Sequence, residues 1–146
     1  MAFKFKLATL LNVRKIQENI ALQAFSQAQR YLSSLKAMRE QVLARRDILR
    51  VELMTRMKQG LSATEVKIYY DYISHLEQTI ERINENIKIA GQQVEEKRKE
   101  LLKTKRASKA ITRLKEIHQA RFDESERKKD MVFLDEIAIL KAGGER

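Results

Sequence analysis

From Val66 onward, apolar side chains recur at alternating intervals of three and four residues: Val66, Tyr69, Ile73, Leu76, Ile80, Ile83, Ile87, Ala90 and Val94, with Leu101 in the same phase. Such spacing keeps one stripe facing a partner over many turns, which is the heptad seam of a coiled coil. Glutamate and lysine fill the positions between. The seam loosens where Lys97 and Thr104 fall on core positions, then resumes as Ile111, Leu114, His118 and Phe122. The pattern predicts a second helix from about 63 to about 130 or beyond, exceeding roughly 90 Å at about 1.5 Å per residue.

The first half carries a less regular stripe: Ala21, Ala24, Phe25, Ala28, Leu32, Leu35, Met38, Val42, Leu49 and Leu53, interrupted by Arg45 and Arg46. Leu10, Val13, Ile16 and Ile20 read as its upstream continuation, so a first helix is predicted from about 7 to about 58. Between the two lies a turn at 59–63. Gly60 suits the left-handed conformation that ends helices. Ser62 followed by Glu65 has the form of a capping box, in which side chains satisfy the free amides of a helix start. So short a connection makes the helices antiparallel neighbours, with Leu49 expected near Tyr72 and Met38 near Ile83. The whole chain is therefore expected to form a single domain, an all-α, two-helix antiparallel coiled-coil hairpin. Phe3 and Phe5 are expected to staple its terminal end. The apolar stretch Met131–Leu140 lies beyond the reach of the first helix and is expected to meet a partner, and 141–146 to be a flexible end.

Composition supports long uninterrupted helices. The 146 residues include no proline, which would remove an amide donor and clash with the preceding turn, and no cysteine. Disulfides and thiolate metal sites are thereby excluded. No apolar run is long enough to span a bilayer, and the opening Met1-Ala2-Phe3-Lys4-Phe5-Lys6 lacks the features of a signal peptide. His75 and His118 have no histidine at metal-ligating spacing, and no phosphate-binding loop or nucleophile motif occurs. Two paired helices also offer no concave pocket. We therefore expect no catalytic residue, metal, cofactor or small-molecule substrate: a binding and coupling element, not an enzyme.

Charge refines this picture. Residues 1–60 hold 12 Lys/Arg against 4 Asp/Glu, residues 61–96 hold 3 against 7, and residues 97–146 hold 15 against 9. Basic terminal regions imply an anionic partner surface. The stretch from Lys97 to Lys129 leaves open an alternative reading, a coiled-coil arm that binds RNA or DNA, although few aromatics interleave there for base stacking. Near the turn, Tyr70 and Tyr72 point away from the seam, as exposed aromatics of protein-binding surfaces do, while Tyr69 belongs to it.

Three segments carry a resemblance: Phe3-Lys4-Phe5-Lys6-Leu7-Ala8-Thr9-Leu10-Leu11, the run Tyr69-Tyr70-Asp71-Tyr72-Ile73-Ser74-His75-Leu76 after the Gly60 turn, and Lys128-Lys129-Asp130-Met131-Val132-Phe133-Leu134-Asp135-Glu136. Together with chain length, they resemble the FliJ family of bacterial flagellar export proteins. The resemblance implies a component of the flagellar type III export apparatus serving motility, similar to the central stalk of rotary ATPases. It would be cytoplasmic, peripheral at the inner face of the cell membrane, and monomeric. The implied partners are the hexameric export ATPase, the cytoplasmic part of the export gate membrane protein, and export chaperones. The implied gate-facing residues are Met38, Val42, Arg45, Leu49, Tyr72, Leu76, Thr79 and Ile83. The implied ATPase-facing residues are Arg14, Lys15, Arg113 and Arg121.

Overall fold

In the computed structural model, which describes residues 2–144, the chain forms two helices in contact as an antiparallel hairpin. They are α1, Ala8–Gln59, and α2, Ala63–Gly144. Gly60 ends α1 with φ of 97°, and its amide donates to the Met57 carbonyl at 3.3 Å. Ser62 opens α2: its Oγ accepts the Glu65 amide at 3.2 Å and its carbonyl accepts the Val66 amide at 3.0 Å. The Ser62 half of the capping box is thus formed.

α2 does not stop where a flexible end was expected. It stays helical through Gly144, while Glu145 and Arg146 lie outside the described residues. With no proline in the segment, each added residue gains a backbone hydrogen bond, and that favours propagation over termination.

The helix pair falls into two units. The first holds residues 21–101 and contains the turn; the second combines residues up to 20 with those from 102 on. In the turn-containing unit, Leu49, Leu53, Ile73 and Leu76 form a buried cluster, and Val42, Leu61 and Tyr69 pack against it. Ile80 and Ile83 extend the seam along α2, and Leu35 extends it along α1. Every apolar heptad position of α2 from Val66 to Leu101 is buried or half-buried. Cross-helix polar contacts fix the register: Arg50 with Glu77, Arg39 with Asn84 at 3.4 Å, and Tyr69 Oη donating to Glu52 at 2.9 Å. Leu49 accordingly lies in the cluster with Ile73 and Leu76, while Tyr72 turns outward.

Two expectations for α1 are corrected. Leu10 is half-buried, but Val13, Ile16 and Ile20 are exposed. The packed positions are instead Leu7, Leu11, Arg14, Glu18 and Ala21, which continue the 3,4 spacing of the downstream seam. Likewise Met38 is exposed, because the half-buried Arg39 holds the seam position. Both corrections have one cause. Arginine and glutamate can lay their methylene stems along an apolar seam while their charged ends reach water. Core positions therefore carry charges that a hydrophobic pattern skips.

In the terminal unit, Phe5, Leu11 and Ser108 are buried. Phe5 meets the His118 ring edge-on at 5.7 Å, and Phe3 lies 5.5 Å from Phe122. The Ala8 amide donates to the Phe5 carbonyl at 3.1 Å, folding the aromatic start back into the first turn of α1.

The two interior glycines differ in kind. Gly60 occupies the left-handed region, whereas Gly91 lies within α2, and an added Cβ would meet nothing within 4 Å at either site. Gly60→Ala is therefore expected to cost about 1 kcal/mol through backbone strain alone. Gly91→Ala should gain about 1 kcal/mol through helix propensity. Chemical denaturation of the two variants should give shifts of opposite sign.

Candidate functional site

The functional residues expected from sequence separate into two groups, one in each unit. The gate-facing group lies in the turn-containing unit. Leu49, Leu76 and Ile83 point into the seam and are buried there. Met38, Arg45 and Tyr72 are exposed, and Val42 and Thr79 are half-buried. A partner docking on this surface therefore reaches the second subset, whereas the three buried residues hold the helices together beneath it.

Around the same turn is an aromatic and methionine surface. Tyr69 belongs to the seam. Burial and its hydrogen bond to Glu52 raise the phenol pKa above its ordinary value, and Arg56, 5.8 Å from the ring centre, opposes them. Tyr70 is open to solvent at 58% exposure and borders a shallow hollow with Met54, floored by Leu53 and Ile73 and rimmed by the Arg50–Glu77 pair. Sequence periodicity placed Tyr70 and Tyr72 outside the seam, and both are exposed.

The ATPase-facing group lies in the terminal unit. Lys15, Arg113 and Arg121 are exposed; Arg14 is half-buried and donates to Gln17 at 3.4 Å. The charge setting of this group could not be read from composition alone. Ion pairs occur at Arg39, Arg46, Arg50, Arg56, Arg98, Arg127 and Lys129. The Arg98 guanidinium donates to Glu95 and holds that carboxyl below its usual pKa range. From Lys99 to Arg121, by contrast, no lysine or arginine is ion-paired among the described residues. Like charges at i,i+4 such as Lys105–Lys109 and Lys109–Arg113 repel, each by roughly 0.2–0.5 kcal/mol. The stretch from Lys99 to Arg121 thus carries a positive excess, eight Lys/Arg against Glu100 and Glu116.

Past Phe122 the helix is largely uncovered. Apart from half-buried Ile137, residues 127–144 are exposed, including Phe133 and Leu134. Among the described residues no group of His, Cys, Asp or Glu could hold a metal ion, and no helix is long and apolar enough to cross a membrane.

The family model for flagellar FliJ protein matches residues 3–146. The chain belongs to the flagellar FliJ family. A curated relative, the flagellar FliJ protein of Bacillus subtilis (strain 168), is 22% identical over 142 residues, covering 95% of each chain. No solved structure matches the chain. This FliJ-family chain is accordingly a component of the bacterial flagellar export apparatus, and the match runs through both units, with the turn and the uncovered end of α2 inside it.

Proposed function

We propose that this FliJ-family chain acts without catalysing a reaction itself: it binds the hexameric export ATPase and promotes its assembly and activity. It also links the ATPase to the export gate and escorts substrate chaperones. On this reading the terminal unit meets the ATPase ring through Arg14, Lys15, Arg113 and Arg121. The turn-containing unit meets the cytoplasmic part of the gate through Met38, Val42, Arg45, Tyr72 and Thr79. The protein works as a monomer in the cytoplasm, peripheral to the inner face of the membrane.

The observation that carries this reading is the family match over nearly the whole chain. The unneutralised cations of the terminal unit support it, because they suit an acidic ring surface and would speed encounter with it.

The test is hydrolysis by the cognate ATPase, measured with and without this chain. Addition is expected to raise the rate severalfold, and Arg14→Glu with Arg113→Glu to remove at least about 80% of that increase, since each reversal replaces attraction by repulsion. A rate unchanged by the wild-type chain would overturn the proposal. Circular dichroism of the double variant separates lost contact from lost folding.

A further inference from the structure

The heptad positions of α2 that lie opposite its seam change character along the chain. Counted from Ile73, Ile80 and Leu101 as core, the third and sixth positions of each heptad lie away from the seam, and past Phe122 the helix is largely uncovered on every side. Between 68 and 96 these positions hold the acids Asp71, Glu85 and Glu96 against one cation, Arg82. Between 103 and 141 they hold Lys103, Arg106, Arg113, Arg127 and Lys141 against a single acid, Glu124. That acid is already paired with Arg127 at 3.1 Å. The remaining positions of the second stretch are all apolar, among them Ile117, Met131 and Leu134, and every position of it is exposed.

Between 68 and 96 these positions carry both signs of charge, with the exposed Ile68 and Ile89 among them. The 103–141 stretch interleaves cations with apolar side chains at its third and sixth positions, with Glu116, Asp123 and Asp130 lined up at the second position along one edge of that face. We propose that this face of α2 is a binding surface for an anionic lipid bilayer, with the helix lying along the headgroups. Lysine and arginine would reach the lipid phosphates while Ile117, Met131 and Leu134 enter the boundary between headgroups and acyl chains. The long cationic stems suit that depth, since they cover apolar surface and keep their charge in water. Nucleic acid fits the face less well, because none of these positions holds an aromatic side chain on which a base could stack. The ATPase contact proposed above shares Arg113 with this face, but an acidic protein surface would leave the interleaved apolar positions without a role. The inference deepens the peripheral localisation proposed above, and vesicle binding is measured apart from the ATPase.

The full chain is sedimented with vesicles of phosphatidylcholine alone and of phosphatidylcholine containing about 30% phosphatidylglycerol, at about 0.15 M salt. Binding is expected to the anionic vesicles and to be at least about tenfold weaker to neutral ones. Lys103→Glu with Arg106→Glu should weaken it at least about 25-fold, from roughly fivefold for each cation lost near the surface. Met131→Gln with Leu134→Gln should weaken it about tenfold at unchanged charge. All four positions are exposed, and circular dichroism should match the wild type. No binding to anionic vesicles, equal binding to neutral ones, or binding untouched by either pair of substitutions would overturn the proposal. So would retention of a labelled RNA or of polyglutamate on the same residues while vesicles are ignored. Stimulation of ATP hydrolysis in vesicle-free solution serves as the separate readout. If it persists in the wild-type chain while vesicle binding fails, this inference falls alone. If vesicle binding holds while stimulation fails, the ATPase reading falls alone.

Discussion

Leu76→Asp is expected to destabilise the turn-containing unit by roughly 5 kcal/mol, combining a core truncation with the burial of a charge. Leu76 is 8% exposed and sits in the cluster with Leu49, Leu53 and Ile73. Removing its side chain alone would cost about 2–5 kcal/mol, towards the lower part of that range because a two-helix seam is open at its flanks. The aspartate adds a carboxylate at a buried seam position, and desolvation would raise its pKa or force the helices apart. Since domains are stable by only about 5–15 kcal/mol, this unit should lose most of its protection. Thermal unfolding by circular dichroism and amide exchange across residues 42–53 and 66–83 would register it. The same measurement decides between two roles for Leu76. A residue whose only task is to touch the export gate would leave stability unchanged, and a melting shift of no more than a degree or two would remove Leu76 from the seam. Acidification should partly restore the variant, because a raised folded-state pKa makes the protonated side chain the tolerated form. Stability would return as pH falls below that pKa.

The second large effect is expected in the terminal unit. Phe5→Ala should cost about 3 kcal/mol there: the burial of a phenyl ring, less what its partly open site retains, plus the edge-on contact with His118. Phe5 precedes the first turn of α1, and its carbonyl accepts the Ala8 amide. Loss of the ring therefore frees the start of the helix as well as a core contact. Amide protection should fall across residues 8–20 and 108–122, while residues 42–53 and 66–83 keep theirs. An equal loss at the turn would mean that the chain unfolds as one cooperative body, and the two-unit division would not describe its energetics. If the ATPase reading holds, stimulation of hydrolysis should fall with this variant although none of its cations has been altered, because Arg14 lies on the segment that Phe5 secures.

How far these sites could be read in advance depends on the residue types at the seam. Between Ile73 and Ile87 the core positions of α2 are filled by isoleucine and leucine at strict 3,4 spacing, so periodicity alone identified Ile73, Leu76, Ile80 and Ile83 as one stripe. The turn was equally legible, since Gly60 and Ser62 perform local tasks that depend on nothing distant. Along α1 the stripe was harder to follow. Arg14, Glu18, Arg39 and Arg46 hold half-buried seam positions, and Val13, Ile16 and Ile20 made a decoy of apolar residues on the wrong side. Extending the heptad phase backwards from Leu35, Ala28 and Ala21 would have found Arg14 and Leu7. The phase was the usable signal and hydrophobicity was not.

Sequence by itself determined that this chain makes two long helices, where they turn and which α2 residues form the seam. Those outcomes follow from hydrogen bonds and side-chain directions set within a few residues of one another. Only the tertiary structure decided that Arg39 and Arg46 hold half-buried seam positions while Met38 and Arg45 stay exposed. It also decided that Phe5 closes on His118 and that, among the described residues, the cations from Lys99 to Arg121 make no ion pair. Each of these depends on what the opposite helix presents at a given height, and that is settled by the register between residues distant in sequence.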